Sequence, residues 1–233
     1  MKVIILAGGL GTRISEYTRN IPKPMIEIDK VPILVHIMKH FARYDFKDFI
    51  IATGYKGHLI KDYFERKNFS NWTIDVVSTG NKVMTGGRLK RLEKKMKRFE
   101  NFFLTYGDGI SNINLNKLIS FHLKHKKIAT ISAVRPPARF GFIKLKKNKV
   151  NYFREKSSLD EGWINGGFMV LNKGIFKFLK NDQTYLERSP LEQLSRKGEL
   201  YAFKHKGFWQ CMDTLRDKEI LEKSIKQKKH LEK

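Results

Sequence analysis

Eight residues near the amino end, Leu6-Ala7-Gly8-Gly9-Leu10-Gly11-Thr12-Arg13, have the composition of a main-chain cradle for an anion. Consecutive glycines let the backbone approach a ligand closely and aim several N–H groups at it. The spacing matches neither GxGxxG, since Ile14 stands where the last glycine belongs, nor Walker A, since no Lys-Ser/Thr pair closes the loop. On the glycines alone, a plain tight turn serves as well. Arg13 and Pro22-Lys23-Pro24 tilt the reading towards phosphate. Two prolines stiffen the chain around Lys23 and offer its ammonium from a fixed place. That ammonium is expected to face solvent and to contribute little to folding.

Other side chains admit two readings each. Asp108 sits in Thr105-Tyr106-Gly107-Asp108-Gly109, after an apolar run. It is either a turn aspartate or a ligand-facing residue at the carboxyl end of a strand. Asp213 could equally cap a helix that begins at Thr214. Arg88, behind Thr85-Gly86-Gly87, opens a basic helix; its plain reading is a solvated face, although the glycines suit ligand approach. His122 and His125 have the i,i+3 spacing of a helical metal pair. With no third ligand in view they read as core or surface, and Phe208 and Trp209 read as packing.

The elements that must position these residues alternate. Lys2–Leu6 reads as a buried parallel strand, Pro32–Tyr44 as an amphipathic helix, and Asp48–Thr53 as the next strand. A helix with Leu59, Ile60, Tyr63 and Phe64 precedes a strand near Thr73–Ser78. Gly86–Phe99 is a basic helix, Asn101–Tyr106 a strand, Leu115–Lys124 a helix and Ile128–Ala133 a strand. After Pro136-Pro137 the rhythm changes. Phe142–Leu145, Val150–Arg154 and Phe168–Leu171 read as an antiparallel addition, followed by a helix at Ser189–Lys197, a strand at Leu200–Lys204 and a closing helix at Thr214–Lys229. The expectation is one α/β domain, 1–233, with a Rossmann-like, mostly parallel sheet and a small antiparallel C-terminal addition.

LAGGLGTR followed by PKP resembles the sugar-1-phosphate nucleotidyltransferase family. Met84-Thr85-Gly86-Gly87-Arg88-Leu89-Lys90-Arg91, the Gly107-Asp108-Gly109 turn, Pro136-Pro137-Ala138-Arg139-Phe140-Gly141, Gly207-Phe208-Trp209-Gln210 and Met212-Asp213-Thr214-Leu215-Arg216-Asp217 are similar to its cytidylyltransferase branch. The resemblance runs from Met1 to about Glu222 and implies the nucleotide-diphospho-sugar transferase fold. It implies Mg²⁺-dependent transfer of a cytidylyl group from CTP to a sugar 1-phosphate, α-D-glucose 1-phosphate in that branch. Carried over by motif, Leu6, Ala7, Gly8, Gly9, Leu10, Gly11, Thr12 and Arg13 would wrap the nucleotide phosphates, and Lys23 would contact phosphate. Val83, Thr85, Gly86 and Arg88 would reach cytosine and ribose, with Gly107 beside them. Asp108 and Asp213 would hold Mg²⁺, and Glu155, Lys156, Asn165 and Gly166 would face the sugar phosphate. Arg13, Lys23 and Asp108 would be the catalytic set. The resemblance also implies a homo-oligomer. Three places depart from the family pattern: a short connection at Asn68–Asn71, Ser157 in place of a proline after Lys156, and Cys211 where proline is usual.

Composition bounds the remaining options. The chain has 233 residues, and 47 Lys+Arg against 23 Asp+Glu leave a formal charge of +24. At 41% hydrophobic residues it can bury a substantial core, so disorder is excluded despite the charge. No apolar run is long enough to span a bilayer, and Val3–Leu6 is too short for a secretory h-region. A cytoplasmic protein with no membrane partner is expected. The single cysteine excludes an internal disulfide and a cysteine-rich zinc site. The lysines are scattered, with no zinc-finger or RNP-like pattern, so no specific nucleic-acid partner is expected. A polyanion binder built on the same fold, or a transferase for another nucleotide or sugar, are the rival readings.

Overall fold

The computed structural model describes residues 1–136, 142–155 and 162–227. In chain order the strands are β1 (Lys2–Ala7), β2 (Glu27–Ile28), β3 (Val31–Pro32), β4 (Asp48–Thr53), β5 (Thr73–Ser78), β6 (Asn101–Tyr106) and β7 (Gly109–Ser111). They continue as β8 (Ala129–Val134), β9 (Phe142–Lys146), β10 (Lys149–Arg154), β11 (Ile164–Asn172), β12 (Leu200–Lys204) and β13 (Trp209–Cys211). The helices are α1 (Ser15–Thr18), α2 (Ile33–Ala42), α3 (Gly57–Arg66), α4 (Thr85–Arg91), α5 (Glu93–Met96), α6 (Leu115–His125), α7 (Ser189–Arg196) and α8 (Leu215–Lys226).

Seven strands form the central sheet in the order β12-β8-β11-β6-β1-β4-β5. Its pairs are parallel except those of β11, which runs against both β6 and β8. β1 shows why the sheet is covered on both sides: all six of its residues are buried. Val3, Ile5 and Ala7 point into a core shared with α2, α6 and α8, while Ile4 and Leu6 point into a second core with α4, α5 and α7. The period-two alternation of a strand makes each face apolar, and each face needs its own helical layer. In the first core Phe41 of α2 stacks on Phe168 and meets Phe103 edge to face, at ring separations of 5.9 and 5.4 Å. Burial of one such side chain contributes about 1.5–3 kcal/mol.

Two elements differ from the sequence expectation. The helix expected at Gly86–Phe99 is two, α4 and α5, broken at Leu92 so that Leu89, Leu92 and Met96 are all buried in the second core. The strand expected at Phe168–Leu171 does not belong to an appendage. It is the middle of β11, fully buried in the centre of the main sheet. Among the described residues beyond Pro136 only β9 and β10 form a separate antiparallel pair, and β10 is exposed along its whole length. Among the described residues no helix is long and apolar enough to cross a membrane.

Register levels the strand ends. Ala7 pairs with Thr53, and Leu6 with Tyr106. Reversal of β11 brings its first residues, Ile164 and Asn165, opposite the last residues of β8. The ends of β1, β4 and β6 and the start of β11 therefore share the edge where open α/β sheets bind ligands.

Candidate active site

The glycine turn is built around close contacts. Gly11 has φ +67°, a left-handed conformation, and a side chain there would meet Thr18 Cγ2 at 2.7 Å. Gly8 lies against the Arg88 guanidinium, and a Cβ would come within 2.3 Å of it. Arg88 is buried, and its guanidinium donates to the carbonyls of Gly8 (2.7 Å), Thr53 (3.0 Å) and Gly80 (2.7 Å) and to Thr79 Oγ1 (2.8 Å). It thereby ties together the last residue of β4 and the chain just beyond β1 and β5. The plain reading as a solvated face is not what the structure shows: this arginine, expected to reach the nucleotide, shapes the cleft from inside.

Opposite it, Lys23 Nζ donates to Asp108 Oδ2 and to Asp213 Oδ1, both at 2.7 Å, and Arg13 Nη1 donates to Asp213 Oδ2 at 2.6 Å. A short ladder makes this meeting possible. β7 pairs antiparallel with β13, Cys211 opposite Gly109, and Met212 N–H donates to the Asp108 carbonyl at 2.9 Å. Two aspartates far apart in sequence thus converge on one ammonium. Asp213 is not the cap of α8; Thr214 is, in a reciprocal capping box with Asp217.

Lys23 also departs from expectation, since its side chain is only 11% exposed rather than solvent-facing. Burial alone would lower its pKa, but Asp108 and then Asp213 outweigh burial and hold it above the ordinary lysine value. Burial would raise Asp213, yet Lys23 and then Arg13 hold it below the usual carboxylate range. Cys211, beside this pair, is pushed up to about 12 by burial and then by the charges of Asp213 and Asp108, so it is a thiol and no nucleophile. Two carboxylates converging on one cation also fit a divalent ion that keeps several waters, as Mg²⁺ does. Among the described residues no group of three or more potential metal ligands occurs. His122 is instead buried, bonded to Thr130 and Asn101, and lowered to about 4 by burial.

Two cavities meet at this cluster. One, of about 350 Å³, is lined by the glycine turn, Lys23, Val83, Thr85, Arg88 and Gly107. The other, of about 710 Å³, is lined by Asn165, Glu187, Trp209 and Asp213. Arg13, Tyr106 and Asp108 line both. The Nucleotidyl transferase family profile matches residues 2–217. The chain belongs to that family. It is 46% identical to the glucose-1-phosphate cytidylyltransferase of Salmonella typhimurium over 95% of each chain. It is 40% identical to the probable glucose-1-phosphate cytidylyltransferase of Bacillus subtilis over 93% of each. Its fold superimposes on HddC from Yersinia pseudotuberculosis with a TM-score of 0.78 at 26% identity, covering 96% of this chain and 99% of that one.

Within this nucleotidyltransferase the expected residues fall into three groups. Leu6, Ala7, Gly8, Gly9, Gly11, Thr12, Arg13, Lys23, Val83, Thr85, Arg88, Gly107 and Asp108 line the smaller cavity. Leu10 is exposed outside it, and Gly86 lies behind it, where a Cβ would strike the Thr184 carbonyl at 2.8 Å. The glycines of Thr85-Gly86-Gly87 therefore admit the backbone of residues 182–186 rather than a ligand. Asn165 lines the larger cavity, and the buried Gly166 accepts the Trp209 indole N–H at 2.7 Å. Glu155 is exposed at the end of β10, while Lys156 and residues 137–141 lie outside the described residues. Tyr106, Tyr185 and Glu187 join the site without having been expected there. Of the three, only Tyr106 carries a signal in the sequence, its place directly before the Gly-Asp-Gly turn.

Proposed function

We propose that the chain transfers a cytidylyl group from CTP to α-D-glucose 1-phosphate, giving CDP-glucose and pyrophosphate. The observation that carries this reading is the junction of two cavities at one cation–carboxylate cluster, one lined by a glycine turn and one by mixed polar and apolar side chains. The names of the Salmonella and Bacillus relatives support the choice of nucleotide and sugar.

The reaction asks little covalent chemistry of the protein. A sugar-phosphate oxygen forms a bond to the α-phosphorus, the bond from that phosphorus to the bridging oxygen breaks, and pyrophosphate leaves with the electron pair. The attacking phosphate is already largely dianionic at neutral pH, so no general base is required. The obstacle is repulsion between two anions, and positioning with fixed positive charge is the remedy. Gly8, Gly9 and Gly11 supply closely approaching backbone N–H groups. Arg13, at the junction, can bridge the two substrates, and Lys23 exchanges carboxylate partners for phosphate. Mg²⁺, held by Asp108 and Asp213 when bound, would neutralise and orient phosphate oxygens.

Pyrophosphate release across four NTPs and a panel of sugar 1-phosphates tests the assignment. CTP with glucose 1-phosphate should give the highest kcat/KM, since a pocket that bonds an exocyclic amine leaves groups unpaired against a carbonyl. Equal values for CTP and UTP would sink the cytidylyl reading. The polyanion reading predicts duplex binding that persists at physiological salt, where scattered charge alone loses affinity steeply.

A further inference from the structure

Glu187 lies outside every sequence motif of the site, in the segment leading into α7. Its Oε1 accepts from the Tyr106 hydroxyl at 2.5 Å and its Oε2 from Thr85 Oγ1 at 2.6 Å. Two bonds, one on each oxygen, fix the plane of the carboxylate. The Tyr106 hydroxyl is the donor of its pair with Glu187. The ring in turn is seated on Gly167, where a Cβ would come within 2.6 Å of it. This carboxylate is therefore held from the β6 side and the α4 side at once, on the ridge between the two cavities.

A carboxylate offers about four lone-pair sites and donates nothing. Tyr106 and Thr85 use one site on each oxygen. Glu187 is exposed in the larger cavity, where the remaining sites are open to a ligand. Arg13, the one cation among the described residues lining that cavity, stands at the junction beside Asp108 and Asp213, whereas Glu187 and Glu192 lie among Ile131, Leu191 and Trp209. An anionic group is favoured at the arginine once phosphate replaces Asp213 as its partner, and a neutral body with C–H faces and hydroxyl donors at the acid. Adjacent hydroxyls of a pyranose present two donors side by side, which suits a carboxylate with one free site on each oxygen.

We propose that Glu187 is a specificity-determining residue that accepts hydroxyl groups of the sugar 1-phosphate and rejects sugars carrying an acid at that position. The proposal rests on the two-substrate reading of the joined cavities. A carboxylate in this place favours neutral hexoses, and repulsion works against a uronic acid 1-phosphate.

The test compares wild type, Glu187→Gln and Tyr106→Phe on glucose 1-phosphate, its monodeoxy analogues and glucuronic acid 1-phosphate, read with whichever NTP the wild type uses. At least one deoxy analogue should lose about 10–100-fold in kcat/KM with wild type, the range of a hydrogen bond to a charged group. That loss should shrink to a few-fold in Glu187→Gln. KM for the sugar phosphate should rise about 10-fold while KM for the nucleotide stays within about 3-fold, and the uronic acid should be discriminated against less. Tyr106→Phe removes an anchor but keeps the carboxylate, so it should preserve the deoxy penalty. An unchanged deoxy penalty in Glu187→Gln, or an equal collapse of it in Tyr106→Phe, overturns the proposal. A nucleotide preference other than CTP overturns the cytidylyl reading alone, because the role of Glu187 is decided by the sugar panel.

Discussion

The cleft has two walls, each with a buried cation, and the two cations are held in opposite ways. Lys23 is paired with two carboxylates, whereas Arg88 donates to three carbonyls and one hydroxyl. Carbonyls are neutral, so the Arg88 charge is solvated by dipoles but not cancelled, and a positive field remains beneath the glycine turn. Burial, then Arg91, lowers its pKa, but a guanidinium stays protonated in proteins. The Lys23 charge is cancelled until something displaces its partners. One wall is fixed architecture; the other is an exchangeable ion pair.

The largest effect on stability is expected at the fixed wall. Replacement of Arg88 by Ala strands the Gly8 and Gly80 carbonyls, while Thr53 keeps its bonds from Thr79, and it leaves a hole under Gly8 and Gly54. Stability should fall by about 3–5 kcal/mol, the range for removing one partner of a buried charged network. Urea denaturation measures this. A loss below about 1 kcal/mol would mean that the arginine does not clamp the strand ends.

Lys23→Ala should act on turnover, by about 10²–10³, as expected for loss of one preorganised electrostatic partner. It should also act on stability, because Asp108 loses this counter-charge and Asp213 is left with the exposed Arg13. The pH dependence follows from the directions of the shifts. Asp213 is lowered from 3.8 by folding, so its contribution is present above that value and is lost as pH falls through the folded value. Lys23 is raised from 10.5, so its contribution is present below that value and is lost as pH rises through the folded value. Melting temperature plotted against pH should lose part of both arms in Lys23→Ala. Two unchanged arms would place the ammonium in water.

Asp108→Asn and Asp213→Asn probe the exchangeable wall from its acidic side. Considered as two neighbouring carboxylates alone, either change should relieve repulsion and leave stability level or higher. The intervening ammonium reverses that expectation: each single variant should be slightly less stable. Each should lose most turnover, and the double variant should be scarcely worse, as for groups that act as a unit. Additive losses in a kinetic cycle would separate the two aspartates. The smallest effect belongs to Cys211. With its pKa pushed up to about 12, it should be alkylated far more slowly at pH 8 than a free thiol. Rapid labelling at that pH would show the thiol to be less shielded.

Legibility in the sequence followed locality. Asp48–Thr53, Asn101–Tyr106 and Leu200–Lys204 match their strands to the residue, and the strand expected near Thr73–Ser78 is there, since short apolar runs carry their own signal. The glycine turn and Asp108 were legible because they are contiguous with such runs, and Lys23 because prolines flank it on both sides. What the sequence left open was partnership across long separations. The Arg88 carbonyl set lies on three strand ends, the Asp108–Asp213 meeting depends on the β7–β13 ladder, and Glu187 has partners 81 and 102 residues away. Nothing in local pattern reports such contacts. The same holds for β11, whose apolar run fits an edge addition as well as the sheet centre.

The reversed central strand also sets an order of assembly. β8 and β6 are not neighbours in the sheet; β11 stands between them, and the other neighbour of β8 is β12. During synthesis β8 is complete about thirty residues before β11 begins, with no sheet partner yet made. The half comprising β1, β4, β5 and β6 can pair beforehand, while β8 must wait. Loop closure over such separations is slow, so the late step in folding is insertion of a strand into a gap rather than growth at an edge. Pulse-labelled amides of β8 should therefore gain protection together with those of β11, and after those of β1 and β4.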